Sequence, residues 1–116
     1  MKAFYVELLG MRLAREWPEG MMIDTGCGLI EVFTTGEGVR QKGAIRHLAL
    51  ACSDVDRCVE KVRAAGYTVF IEPRELVTAS EPPLRARMAF CTGPLGEEIE
   101  FFQEHDPEEG TCTTAM

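Results

Sequence analysis

The sequence has no basic stripe. Its 116 residues carry 12 Lys and Arg against 19 Asp and Glu, a formal charge of −7, and the cations are scattered rather than gathered on one face. A nucleic-acid partner needs the opposite balance, so none is expected. No apolar run approaches the roughly 20 residues that a membrane-spanning helix requires. At the N-terminus, Met1-Lys2-Ala3-Phe4-Tyr5 opens an apolar stretch that Glu7 soon interrupts, which is not the pattern of a signal peptide. Cysteine-pair motifs are missing too. The five cysteines, at 27, 52, 58, 91 and 112, are odd in number and include no C-x-x-C. That usage predicts free thiols in a reducing compartment rather than a disulfide framework, and a cytoplasmic location. Cys52 and Cys91 fall inside apolar strand-like runs, where a thiol is ordinarily small core filler.

The charge that is present is unevenly distributed. Glu104, Asp106, Glu108 and Glu109 all lie in the last 13 residues, which hold no Lys or Arg. Without those four the rest of the chain stands near −3, so the acidity characterises the tail and not the folded body. Residues 106–116 are expected to be disordered.

Periodicity organises the remainder. Ser53 to Gly66 reads as an amphipathic helix: Ser53 caps it, Asp54 and Asp56 suit its first turn, and Gly66 ends it. Val55, Cys58, Val59, Val62 and Ala65 supply its apolar side. Ile45 to Ala51 precedes it as a strand. Tyr67 to Ile71, Arg85 to Thr92 and Glu98 to Gln103 follow as three more, with a proline-containing loop over Glu75 to Leu84. The first part of the chain repeats this order. Phe4 to Gly10 reads as the end of a helix, and Met11 to Trp17, Met21 to Thr25 and Leu29 to Thr35 as three strands. The closing strands share a local sequence, Ile30-Glu31-Val32-Phe33 against Ile99-Glu100-Phe101-Phe102, so the two units read as an internal duplication joined by the linker Gly36 to Gly43. When Gly10 is aligned with Gly66, the counterpart of His47 falls before Met1. The opening strand of the first unit is therefore expected to be absent.

These residues together resemble the vicinal oxygen chelate superfamily. The likeness rests on Phe4-Tyr5 followed by Leu9-Gly10-Met11, on His47 opening an apolar strand, on Asp54 at a helix start, and on Gly96-Glu97-Glu98-Ile99-Glu100 near the end. The superfamily includes glyoxalase I, methylmalonyl-CoA epimerase, extradiol dioxygenases and bleomycin-resistance proteins. The resemblance implies an α+β fold of two βαβββ modules forming an incompletely closed mixed β-barrel. Module one would span 1–36, lacking its opening strand, and module two 44–105, within one domain over 1–105. It also implies a divalent metal, zinc, nickel, manganese or iron, with Glu31, His47 and Glu100 as ligands by position and Glu100 as the catalytic base. Glu31 favours the glyoxalase I pattern over that of the epimerase, which usually has glutamine there.

Strand alternation bears on the same three residues. Glu31 shares a face with Leu29 and Phe33, with Ile30 and Val32 behind, and Glu100 lies between Ile99 and Phe101. A carboxylate among apolar neighbours on both faces predicts a partly buried wall, which a cation, a proton or hydrogen bonds must offset. His47 shares a stripe with Ile45, Ala49 and Ala51 that reads as inward-looking. Each residue also has a plainer reading: His47 as a core histidine, Glu31 and Glu100 as edge charges or arginine partners. Substrate-pocket candidates are Trp17, Met22 and Phe33, with Met21 beside them, or else these residues pack in the core. Arg85 and Arg87 share a strand face as carboxylate clamps or as solvated charges. The resulting expectation is a metal-dependent lyase or isomerase of the glyoxalase type, acting as a homodimer on a small molecule with vicinal oxygens. The alternatives are a metal-free, antibiotic-sequestering protein of the bleomycin-resistance type and an extradiol dioxygenase.

Overall fold

The helix read at Ser53–Gly66 sets the geometry of its half of the chain. In the computed structural model, which describes residues 1–36, 43–107, 110 and 112–114, it is α1, Val55–Ala64. Its cap is Asp54 rather than Ser53: the Asp54 carboxylate accepts from the Arg57 N–H at 3.1 Å, because the extended backbone at 54 aims that side chain at the first free amides. Beyond the C-terminus Gly66 takes φ +92°, a left-handed conformation that a side chain would strain. Val55, Cys58, Val59 and Val62 form the buried face.

At the N-terminus, Lys2–Leu8 is wound as a π-helix, η1. The Leu9 N–H reaches back five residues to the Phe4 carbonyl, at 2.9 Å. Widening the turn by one residue brings Phe4, Tyr5 and Leu9 to one side, and all three are buried.

Among the described residues seven strands follow the expected order: β1 Arg12–Trp17, β2 Gly20–Asp24, β3 Leu29–Phe33, β4 Leu48–Ala51, β5 Val69–Val77, β6 Arg85–Thr92 and β7 Glu98–Glu104. They form two sheets, β1-β2-β3 and β4-β7-β6-β5. The first is antiparallel throughout, and in the second only β4 and β7 run parallel. Among the described residues the sheets are not hydrogen-bonded into one barrel. The α+β class stands as expected.

β5 runs past the expected end at Ile71, through Pro73, to Val77, so residues 75–77 of the presumed loop belong to a strand. Proline cannot donate to a ladder, but β5 is an edge strand, and its pairing with β6 is irregular between Ile71 and Arg74, where the proline sits.

One hydrophobic cluster joins the two units. Phe4, Tyr5, Leu9, Met21 and Ile23 from the first pack with Leu50, Val55, Val59, Val62, Ile99 and Phe101 from the second. The Phe4 ring meets Tyr67 edge-on at 4.6 Å.

The thiol reading needs correction. Cys27, in the β2–β3 turn, is disulfide-bonded to Cys112, 85 residues away, leaving Cys52, Cys58 and Cys91 free. Sequence spacing could not reveal this pair, because only the folded chain returns the tail to that turn. In the region expected to be disordered, Thr114 is buried and its N–H donates to the Ala51 carbonyl at 2.8 Å. Glu108 and Glu109, like most of the linker, lie outside the described residues. Among the described residues no helix is long and apolar enough to cross a membrane.

A cross-link over so long a loop removes conformational entropy from the unfolded chain, so its reduction is expected to cost about 2–4 kcal/mol of stability. The check is a pair of urea titrations, with and without reductant, alongside Cys112→Ser. Reductant should lower the midpoint of the wild-type chain and leave the variant unmoved. Equal midpoints for the oxidised and reduced chains would show that the bond contributes nothing.

Candidate metal centre

Each sheet buries one face against the common core and leaves the other open, and the candidate residues divide between the two open faces. On the second sheet, β7 places Ile99 and Phe101 in the core, both fully buried. Alternation therefore turns Glu100 to the opposite side. There its register partners are Ala49 on β4 and Phe90 on β6. His47 immediately precedes β4, and its Nε2–H donates to Glu100 Oε2 at 2.8 Å. The Glu100 side chain is only 10% exposed and that of His47 30%. Phe90 stacks edge-on against the imidazole at 4.9 Å, and Phe70 extends this aromatic wall, 5.7 Å from Phe90.

The stripe through His47 was expected to look inward. It faces the open side instead: Ile45 is almost fully exposed, and the buried residue of β4 is Leu50. The alternation was legible, but which side of the sheet the helix would cover was not.

The first sheet carries the remaining candidates. Trp17, Gly20 and Phe33 lie in one cross-strand row, and Met22 pairs with Glu31 in the next. The Trp17 ring crosses Gly20 so closely that an added Cβ would meet it at 2.7 Å, and it meets Phe33 edge-on at 6.0 Å. Trp17, Met22, Glu31 and Phe33 thus share a face, as their pocket reading required. Glu31 is exposed, however, not set in a partly buried wall. Its neighbours Leu29 and Phe33 are 59% and 55% exposed, because among the described residues nothing covers this side of β3.

Among the described residues no three His, Cys, Asp or Glu side chains converge on one point. Within one chain the expected ligands are therefore split into a His47–Glu100 pair and a separate Glu31. The pair is chemically suited to a divalent ion, offering one imidazole nitrogen and one carboxylate oxygen that already face each other. Two donors alone leave most positions of such an ion to other ligands.

Arg85 and Arg87 do not face this pair. They alternate with Met88 and Phe90, so they emerge on the helix side of β6. There Arg87 binds Asp56 of α1 bidentately, at 2.7 and 2.8 Å, and Glu75 of β5 at 3.2 Å. Arg85 lies 3.8 Å from Asp106. His105 also hydrogen-bonds Glu75. Sequence reasoning missed the Phe70–Phe90 wall. Alternation in β6 marked the Phe90 side, but its position opposite Glu100 depends on register that only the folded sheet shows.

The sequence matches the model of the Glyoxalase/Bleomycin resistance protein/Dioxygenase superfamily over residues 1–101. No curated protein matches it. Among solved structures, a glyoxalase/bleomycin resistance protein/dioxygenase from Alicyclobacillus acidocaldarius superposes with a TM-score of 0.67 at 19% identity, covering 90% of this chain and 81% of that one. TioX from Micromonospora sp. ML1 gives 0.62 at 24%, with coverage of 87% and 85%. A lactoylglutathione lyase from Agrobacterium tumefaciens gives 0.61 at 16%, with coverage of 88% and 81%. At these identities the likeness establishes the fold.

The Arg87 network carries a pH signature. The Arg87 guanidinium holds the Asp56 carboxyl below its ordinary range, and His105, followed by Arg87, does the same for Glu75. Groups whose pKa is depressed by folding stabilise the native state above their unfolded values, near about 4, and lose that contribution as pH falls through the lowered folded values. Arg87→Ala should therefore melt below wild type at pH 7, with the gap closing under acid. Melting curves from pH 7 to pH 2 test this, and a gap that does not change with pH would rule the network out as its source.

Proposed function

Because the chain belongs to the Glyoxalase/Bleomycin resistance protein/Dioxygenase superfamily, we propose that it is a metal-dependent lyase or isomerase of the glyoxalase type, acting on a small molecule with vicinal oxygens. The observation that carries this reading is the His47–Glu100 pair, an imidazole and a largely buried carboxylate 2.8 Å apart on the floor of an open aromatic face. A divalent ion held there would supply Lewis acidity to the substrate's two oxygens. Glu100 is the proton-transfer group: its carboxylate, between Ala49 and Phe90 and only 10% exposed, is largely shielded from water and faces whatever rests on the sheet. It takes the proton from the carbon beside one oxygen and returns it at the neighbouring carbon. His47 orients that carboxylate, and Phe70 and Phe90 exclude water from beside it.

The working form is a homodimer. Leu29 and Phe33 on one open face, and Phe70 on the other, are exposed apolar residues that a second copy would cover. In this arrangement Glu31 of one copy faces the His47–Glu100 pair of the other and supplies the third ligand.

A second reading has its own support. His47 and Glu100 already satisfy one another, and four aromatic rings line the two open faces. That combination also suits a metal-free protein that sequesters a flat aromatic molecule.

Metal content by mass spectrometry, after chelation and separate reloading with zinc, nickel, manganese or iron, separates the two. The enzyme reading expects about one ion per chain, since each dimer site draws on one set of ligands. His47→Ala, Glu31→Gln and Glu100→Gln should each lose it, and Glu100→Gln should also lose turnover. A mixed dimer of Glu31→Gln and His47→Ala chains should recover half the metal, because one of its two sites is then intact. No specific ion under any loading would overturn the enzyme reading in favour of sequestration. Full loading of a monomeric chain would overturn the shared site.

A further inference from the structure

Three cysteines remain free, and two of them, Cys52 and Cys58, line one cavity. β4 ends at Ala51, and the Cys52 N–H donates to the Phe102 carbonyl at 2.9 Å, which anchors Cys52 at the mouth of the loop into α1. Asp54 then starts the helix, and its backbone carbonyl accepts from the Cys58 N–H at 3.2 Å. The first turn of α1 carries Cys58 back toward Cys52, so that both side chains line the same cavity. Each is 6% exposed. Both border one small cavity of about 40 Å³, which Asp54, Arg57 and Lys61 also line. This space accepts a water-sized molecule and little more.

We propose that Cys58 and Cys52 are a nucleophile and resolving pair that reduces hydrogen peroxide, closing to a disulfide. Size selects the oxidant, since peroxide fits where a bulky disulfide or alkylating reagent does not. The charges favour Cys58 as the attacking group. The neighbouring Cys52 thiol holds Cys58 below its ordinary range against the opposing effect of burial, with Lys61 and Arg57 adding to it and Asp54 opposing. Cys58 and burial keep Cys52 protonated. Cys91 in β6 provides an internal contrast. It is fully buried, borders no part of this cavity, and burial pushes its thiol up to about 12.

The chemistry balances in two steps. The Cys58 thiolate attacks one peroxide oxygen, the O–O bond breaks, and hydroxide leaves and is protonated to water, giving a sulfenic acid. The Cys52 sulfur then attacks the sulfenic sulfur, the S–O bond breaks, and the departing hydroxyl takes up the Cys52 proton as a second water. One dithiol and one peroxide become one disulfide and two waters.

The full chain, with Cys27–Cys112 intact, would be treated with one equivalent of hydrogen peroxide, quenched, unfolded, alkylated and mapped by peptide mass spectrometry. The expected result is a Cys52–Cys58 cross-link with Cys91 still alkylated, and Cys58 reacting on the order of tenfold faster than Cys91. Cys52→Ser should stop at a sulfenic acid on Cys58, trapped as its dimedone adduct. Cys58→Ser should leave Cys52 reduced. Circular dichroism verifies that each variant is folded, and the wild-type ratio of Cys58 to Cys91 needs no variant at all. Equal rates at Cys58 and Cys91, or a first adduct on any other cysteine, would overturn the proposal.

Discussion

Which faces of the two sheets stay open is decided by what fills the space behind them. η1 and α1 feed a single apolar cluster that runs through both halves of the chain. Phe4 and Tyr5 reach it from one side and Val55, Val59 and Val62 from the other. With that volume occupied, strand alternation leaves no choice: Ile99 and Phe101 turn in, Glu100 turns out, and Ile23 turns in while Met22 turns out. The candidate chemistry is therefore a by-product of core packing. A substitution that shifted β7 by one residue would exchange Glu100 with a core phenylalanine or isoleucine, and the fold would fail before the site did.

Much of this was legible in the sequence. α1 announced itself by its valines, its acidic first turn and Gly66, and every strand appeared in its expected order. The errors came where local pattern and tertiary context disagree. The strand expected to end at Ile71 runs on through Pro73, which is tolerated because β5 lies at a sheet edge. Arg87 could be read as a carboxylate clamp or a solvated charge, because its face was readable and its partner Asp56, 31 residues away, was not. Glu31 looked half-buried because its apolar neighbours were read as walls, whereas Leu29 and Phe33 are themselves exposed. For the candidate site, sequence alone nominated both His47 and Glu100. Their mutual hydrogen bond spans 53 residues and required the parallel pairing of β4 with β7.

The two kinds of polar cluster in this protein differ in what they ask of the surroundings. In the Arg87–Asp56–Glu75–His105 group both carboxylates are well exposed, so its ion pairs are screened and contribute modestly. His47 and Glu100 sit on an apolar floor, where a charge is costly and its partner matters more. The same residue types thus sit in two different surroundings, and the exposure of the carboxylates makes the difference.

The Cys27–Cys112 bond has a mechanical consequence. The peptide between β3 and β4 connects the two sheets once, and the disulfide, with Thr114 bonded to Ala51, ties the β2–β3 turn to the far sheet a second time. The two sheets are thus held together both by their shared core and by a covalent tie, and reduction of the sulfurs leaves that shared packing to carry the load alone.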